Sequence, residues 1–271
     1  MNLLRTPARL HVNGVALWSQ RLPGWERARQ VLAGREAAPQ EPAPRPAPEL
    51  LPPTERRRAP DTVSVAMEAA LSACKDAQLA PASLPCVFSS MHGDLTITDY
   101  MCSTMATTPT LVSPTKFHNS VHNAAAGYWT IAAECTRPYT SLSAGDFSFG
   151  AGLLETCVQA LAGNENVLLV AYDIDARGPL APVAASKGLL SVGLIVSPQR
   201  GPRALAQFDL EVVSGSGLQP SRARPENAAL VAGNSTESCL PFVEALALGG
   251  THDLLCLATP TLGLKLHLEA A

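Results

Sequence analysis

The sequence predicts an α/β layered fold, in which buried strands alternate with helices along the chain. Residues 166–173 form a run too apolar for a strand with one exposed face, so we expect them at the centre of a sheet. Residues 61–79 repeat apolar side chains at intervals of three and four, as in Val63, Met67 and Cys74, which is the pattern of an amphipathic helix that covers a sheet. Residues 139–150 combine a strand, a turn and the start of a helix. This alternation is typical of layered α/β domains.

The remaining elements follow from local periodicity. We expect further strands at 9–18, 86–90, 189–197, 204–213 and 262–268, and further helices after the turn at His92, at 117–136, at 147–162 and at 240–248. The strand at 204–213 alternates clearly between apolar and polar residues, and we expect it at an edge of the sheet. Residues 37–60 contain eight prolines, which predicts an extended loop because proline fixes φ and lacks an amide proton. Residues 214–235 are also expected to form a loop.

Composition excludes some classes of function. The net charge of −3 and the isoelectric point of about 6.1 provide no field that would gather nucleic acid or an anionic membrane. Seven cysteines without a CxxC pair, most of them in apolar stretches, indicate reduced core residues and hence a cytoplasmic protein. The apolar run at the N-terminus is too short for a signal peptide, and no stretch is long enough to span a membrane. We expect no cofactor.

Residues 117–173 carry a specific resemblance. The segment 117–131 contains Asn123-Ala-Ala-Ala-Gly127. It is followed by the strand, turn and helix start at 139–150, a Leu-rich helix and an apolar strand. We call the turn between the strand and the helix at 139–150 the elbow. This order and spacing resemble the β-ketoacyl synthases. The resemblance covers roughly residues 1–200 and is strongest at 113–173, while residues 200–271 have no confident assignment. It implies one domain with a thiolase-like layered fold, a mixed central sheet covered by helices, truncated relative to a full ketosynthase.

The resemblance also places a glycine where the family has its nucleophile. The family's elbow cysteine matches Gly145, between Ser143 and Ser148. A cysteine belongs there because a helix N-terminus stabilises a thiolate. The family's second-half histidine motifs do not occur after Arg200, where Thr251-His252 is the nearest candidate. We therefore assign no catalytic residue, and we interpret Cys135 and Cys157 as structural.

No replacement nucleophile is convincing in the elbow. The segment is not the Gly-x-Ser-x-Gly arrangement of hydrolases. We expect Ser148 to cap or pack the helix, and Asp146 to lie in its first turn, where the helix dipole favours an acidic residue.

Other polar residues are candidates for a pocket or an interface. His118 and His122, four apart, are predicted to share a helix face, the geometry of two metal ligands. Position 119 is Asn, not the Glu of a zinc motif, and no third ligand is identifiable, so we predict no metal. We expect the pair to make hydrogen bonds near a subunit interface, because the matching family helix lies near one. The full set of candidates is His92, Asp94, His118, Asn119, His122, Asn123, Asp146 and Ser148.

The resemblance implies a catalytically silent subunit of the chain-length-factor type found with aryl polyene or polyketide ketosynthases. Its partners would be an active β-ketoacyl synthase and an acyl carrier protein in fatty acid or polyketide biosynthesis, in a homodimer or heterodimer. The sequence leaves two alternatives open. One is a non-covalent acyl-carrier-dependent decarboxylase or acyltransferase, with Asp146, His118 or His122 as acid or base and backbone amides holding an oxyanion. The other is a stand-alone binder of acyl chains.

Overall fold

The computed structural model describes residues 7–271. The prediction that the chain begins without a signal peptide rests on its first six residues and lies outside the described residues. Within 7–271, none of the helices has the length and apolar character needed to cross a membrane.

The described residues form eight strands and nine α-helices. The strands are β1 (Ala8–Ser19), β2 (Cys86–Ser89), β3 (Tyr139–Leu142), β4 (Val167–Asp173), β5 (Leu190–Ser197), β6 (Ala206–Ser214), β7 (Gly250–Thr259) and β8 (Leu262–Ala270). The helices are α1 (Trp25–Leu32), α2 (Pro53–Arg58), α3 (Asp61–Ala77), α4 (Leu95–Thr107), α5 (Pro114–Asn119), α6 (Ala124–Ala132), α7 (Ser148–Gly163), α8 (Pro225–Ala228) and α9 (Leu240–Leu248).

All eight strands belong to one mixed sheet, in the order β3-β2-β4-β5-β1-β6-β8-β7. The three strands β3, β2 and β4 are parallel, and every other neighbouring pair is antiparallel. Parallel strands require crossover helices, and α7 makes the crossover between β3 and β4. The predicted layered α/β fold with a mixed central sheet is confirmed.

Two apolar cores lie on opposite faces of the sheet. The strand β4 divides its side chains between them: Val167 and Leu169 enter one core, and Leu168 and Val170 enter the other. The first core includes residues of α1, α7 and α9, and the second includes residues of α3 and α6. Burial on both faces explains the continuous apolar run in β4 and confirms its predicted central position.

One predicted helix is wrong. Residues 117–136 do not form a single helix, because α5 ends at Asn119 and α6 begins at Ala124. In the turn between them, the Ser120 hydroxyl donates to the Phe117 carbonyl oxygen over 2.8 Å. Short polar side chains of this kind compete with helical backbone hydrogen bonds. His118 therefore lies in α5, His122 lies in the turn, and the two do not share a helix face.

The predicted edge position of residues 204–213 is also wrong. The strand β6 is interior and pairs with β1 on one side and β8 on the other. Alternate residues, such as Phe208 and Leu210, enter the first core, and the residues between them are only partly buried. Alternation therefore reports which face of a strand is buried, and it does not report whether the strand has neighbours.

Four elements are missing from the sequence-based prediction. The helix α1 follows the first strand, the short helix α2 lies in the proline-rich segment 37–60, α8 lies in the expected loop at 214–235, and the strand β7 pairs along β8. The helix α7 packs on β2 and β4 and also contacts β7. The last part of the chain therefore helps to hold the helix that follows the elbow.

Candidate functional site

The candidate site lies where the parallel strands β2, β3 and β4 end. The Ser90 amide, just after β2, donates to the Leu142 carbonyl oxygen at the end of β3 over 3.2 Å. The Ser143 hydroxyl donates to the Met91 carbonyl oxygen over 2.6 Å. The loop after β2 is therefore tied to the elbow after β3. Carboxyl ends of parallel strands commonly form ligand sites in α/β proteins.

The elbow itself is a left-handed turn at a glycine. After β3, a 3₁₀ turn at Gly145–Phe147 leads into α7, which begins at Ser148. Gly145 has φ of 58°, and no atom lies within 4 Å of the position that a β-carbon would occupy there. A residue with a side chain would be strained in this backbone conformation, although the side chain would have room.

The two other polar residues of the elbow have different surroundings. Ser148 is buried, and its hydroxyl donates to the Gly145 carbonyl oxygen over 2.6 Å and accepts from the Ala144 amide over 3.1 Å. That hydroxyl closes the turn and does not face an open cleft. Asp146 is exposed in the 3₁₀ turn.

His122 is held between two strand ends. Its Nε2 lies 3.0 Å from the Ser90 carbonyl oxygen, and its Nδ1 lies 3.1 Å from the Ser141 hydroxyl. A carbonyl oxygen can only accept, so Nε2 carries a proton, and in the neutral ring Nδ1 accepts from the Ser141 hydroxyl. Both ring nitrogens are engaged, which suits a positioning role better than proton transfer.

The other two histidines are less firmly held. His92 Nδ1 lies 3.2 Å from the Gly93 carbonyl oxygen, and His92 Nε2 is buried without a hydrogen-bond partner among residues 7–271. His118 is exposed, and its ring meets the Tyr128 ring edge-on with centroids 5.8 Å apart. Of these two, only His92 belongs to the loop that meets the elbow.

The remaining candidates lie beside the helices. Asp94 caps α4 by accepting from the Ile97 amide over 2.9 Å, and burial raises the pKa of its carboxyl above the ordinary value despite that bond. Asn119 is buried at the end of α5. The Asn123 side-chain amide donates to the Tyr139 hydroxyl over 3.0 Å and links the start of α6 to β3.

Sequence reasoning misses Asp173, which organises this edge of the sheet. Its fully buried carboxylate accepts from the Ser90 hydroxyl over 2.7 Å, from the Met91 amide over 3.1 Å and from the Thr236 hydroxyl over 2.8 Å. A buried carboxylate needs such partners because its desolvation is costly. The available signal was an acidic residue at the end of a wholly apolar strand.

The thiols do not form an alternative reactive site. All seven cysteines are free, and only Cys102 is exposed. Burial raises the pKa of the Cys74 and Cys256 thiols to about 12, and it also raises the pKa of Cys157. Among residues 7–271, no group of three or more His, Cys, Asp or Glu side chains is arranged to hold a metal ion.

Exposed apolar side chains occur on α4, α5, α6, β3 and the segments between them. We call this the β3-side surface, and it consists of Met105, Leu111, Phe117, Val121, Ile131 and Tyr139, whose exposed fractions range from 40% to 77%. Contacts between α4 and α5, the His118–Tyr128 ring pair and the Asn123–Tyr139 hydrogen bond connect the elements that carry it. Exposed apolar groups in this number are typical of surfaces that bind another molecule.

Comparison with known proteins identifies relatives of this architecture. The family model described as "Beta-ketoacyl synthase, N-terminal domain" matches residues 25–245. No curated protein sequence shows a significant match.

Three solved structures are similar over nearly the whole chain. A ketosynthase (ApeO) in complex with its chain length factor (ApeC) from Xenorhabdus doucetiae matches with a TM-score of 0.70 and 21% identity, covering 96% of this chain and 98% of that one. The ishigamide ketosynthase/chain length factor gives 0.71 and 15%, covering 96% and 99%. The type II polyketide synthase complex AntDE:AntF, a ketosynthase with its acyl-carrier protein, gives 0.72 and 10%, covering 98% and 100%. These likenesses establish a thiolase-like fold.

Proposed function

Because this chain belongs to the β-ketoacyl synthase family through its N-terminal domain, we propose that it is a chain-length factor. In this proposal it has no nucleophile of its own and pairs with an active β-ketoacyl–acyl carrier protein synthase. The elbow carries this proposal. Its left-handed turn before α7 leaves open space at Gly145, where the family's reactive cysteine would stand. The chain therefore keeps the shape of the catalytic turn without a group that can hold an acyl chain covalently.

The β3-side surface supports the pairing. It includes Tyr139 of β3, which is one of the two edge strands of the sheet and has a single neighbour, β2, among the described strands. An edge strand flanked by exposed apolar side chains is well suited to pairing with another subunit. In this proposal the ketosynthase covers that surface, and the two chains together shape the space that holds the growing acyl chain.

The relatives and the cysteines support a proposal for the biosynthetic pathway and the cellular compartment of this chain. The X. doucetiae structure pairs a ketosynthase with its chain length factor. By analogy, we place this chain in aryl polyene or related polyketide synthesis in the cytoplasm, where its free thiols would stay reduced. An acyl carrier protein would deliver the substrate to the partner.

The test is co-expression with a full-length β-ketoacyl–acyl carrier protein synthase. We expect a stable heterodimer by size-exclusion chromatography with light scattering, and a shift in product length relative to the ketosynthase alone. The double variant Phe117→Asp/Ile131→Asp should abolish the heterodimer. Leu180→Asp/Val183→Asp is the matched control, because it changes two exposed apolar residues outside the β3-side surface.

Activity of the isolated chain separates this proposal from its alternatives. We expect no decarboxylation or acyl transfer from malonyl- or acetyl-carrier protein without the partner. Turnover by the isolated chain that is lost in Asp146→Asn would overturn the proposal in favour of a non-covalent enzyme. If the chain binds acyl chains tightly as a monomer and forms no complex with the ketosynthase, the result would favour a stand-alone binder of acyl chains.

A further inference from the structure

A polar pocket of about 260 Å³ lies apart from the elbow, between the starts of α3 and α4, the helix α5 and the segment that follows β4. The proline-rich segment contributes Arg45, which donates to Asp61 over 2.8 Å and to the Ala59 carbonyl oxygen over 3.0 Å. Part of this segment is thereby fastened to the start of α3, where it forms one wall of the pocket.

The charges in the pocket are predominantly positive once internal pairs are counted. Arg45 is paired with Asp61, and the Asp175 carboxylate accepts from the Gly188 amide over 2.7 Å. Arg58, Lys116 and Arg177 also line the pocket, and none of them has an ion-pair partner within 4.0 Å in the part of the chain that the structure describes. Two acids remain, Asp94, which caps α4, and Asp175, so three basic residues without ion-pair partners face two carboxyl groups.

The backbone on either side of Arg177 is packed against the rest of the protein. Gly178 has φ of 80°, and a β-carbon there would lie 2.7 Å from the Asp99 side chain of α4. The Ala176 amide donates to the Ser186 carbonyl oxygen over 2.8 Å. The segment after β4 is therefore packed closely on α4, and Arg177 lies at the pocket.

Asn119 provides an independent sign of a ligand. It lines the pocket and is only 4% exposed, and neither polar atom of its side chain has a hydrogen-bond partner among residues 7–271. The side-chain oxygen can only accept, but the amide nitrogen can donate to an anion, and leaving a buried carboxamide without partners is unfavourable. The helix α3, which is 17 residues long, also begins at this pocket without a side-chain cap, so its first amides are available to an anion.

From these contacts we infer that the pocket binds a small ligand through an oxyanion group, the phosphate of a phosphate ester or a carboxylate. Arg58, Lys116 and Arg177 supply the charge-assisted donors. The Asn119 side-chain amide nitrogen donates a neutral hydrogen bond. The inference concerns the isolated chain and does not depend on a ketosynthase partner.

The test is calorimetric titration of the full chain. Inorganic phosphate is the first probe, malonate is the second, and chloride at matched ionic strength is the reference. We expect saturable binding of at least one oxyanion and a higher unfolding temperature in its presence. Arg177→Gln and Lys116→Gln should each weaken binding roughly tenfold or more, the scale of a lost charge-assisted hydrogen bond. Asn119→Asp should abolish it by placing a carboxylate against the anion.

Arg27→Gln is the matched control, because Arg27 is an exposed arginine on α1 and does not line the pocket. Its affinity should stay within about twofold of the parent, well below the effect of one charge-assisted bond. If only phosphate binds, the ligand group is a phosphate ester. If only malonate binds, it is a carboxylate. The inference is overturned if neither anion exceeds chloride, or if Arg27→Gln weakens binding as much as Arg177→Gln. It is also overturned if only an intact acidic carrier protein binds. Should Asn119→Asp fail to fold, the two basic-residue variants decide the outcome.

Discussion

Gly150 of α7 lies directly against the backbone of Leu257 in β7. A β-carbon on Gly150 would overlap the Leu257 carbonyl oxygen and would lie 2.6 Å from its carbonyl carbon. The helix that follows the elbow is thus packed backbone to backbone on a strand more than 100 residues later in the chain. This contact fixes the start of α7, and therefore the shape of the turn at Gly145.

We predict that Gly150→Ala destabilises the protein by roughly 2–4 kcal/mol, because the added methyl group meets rigid backbone atoms. Gly127→Ala in α6 is the control, since no atom lies within 4 Å of its β-carbon position. It should stabilise the protein by about 0.5–1 kcal/mol, the usual gain of alanine over glycine in a helix. Urea unfolding measures both changes. Equal effects of the two substitutions would contradict the close packing.

Placing a thiol at the elbow tests whether the geometry of this turn would activate a nucleophile. Gly145→Cys should fold with a loss of about 1–2 kcal/mol, because an L-residue is strained at this positive φ. The measurement is the rate of alkylation by iodoacetamide in a variant that also carries Cys102→Ser, so that the new thiol is the exposed one. This rate should exceed that of Cys102 in the parent protein, because the start of α7 should lower the pKa of the new thiol. We expect no condensing activity. An unreactive thiol would show that the turn no longer activates a nucleophile.

The two neighbouring histidines should differ in their effect on stability. His122→Ala removes the hydrogen bonds to Ser90 and Ser141 and should cost about 1–3 kcal/mol. His118→Ala removes an exposed ring on α5 and should change the free energy of unfolding by about 0.5 kcal/mol or less. Chemical denaturation of the two variants provides the comparison. A similar loss in both would mean that the bonds of His122 do not hold this edge of the sheet.

Asp94 should make stability depend on pH. Its pKa is raised in the folded state by burial, so folding disfavours its charged form, and the penalty grows as pH rises from the unfolded-state pKa through the folded-state pKa. Asn caps a helix about as well as Asp. Asp94→Asn should therefore match the parent at pH 4 and become more stable than the parent by pH 7. Urea midpoints across this range measure the difference, and one that does not widen would contradict the raised pKa.

The residue pattern within a segment was sufficient to predict those elements whose form depends on their own residues. The amphipathic period predicted α3, the continuous apolar run predicted a strand buried on both faces at β4, and α9 was predicted at the residues where it occurs. The strand, turn and helix at 139–150 were also predicted, and with them the position of Gly145. These features depend on the preferences of neighbouring residues, which the sequence contains directly.

Local pattern failed where distant residues decide. The break between α5 and α6 coincides with the His122 ring bonding to Ser90 and Ser141 on other elements. The Asp173 network joins the end of β4 to residues that follow β2 and to Thr236. Neither arrangement leaves a periodic signal, because hydrogen bonds between such distant segments form only after the sheet has assembled.

The proposed absence of a nucleophile at the elbow rests on the residues alone, because a glycine carries no reactive atom in any fold. The placement of β6 inside the sheet, the packing of α7 on β7 and the meeting of Arg58, Asn119 and Arg177 at one pocket required the folded chain. Side-chain periodicity reports which faces are buried. Strand order and pockets depend on which distant segments pair and pack, and only the tertiary structure brings those segments together.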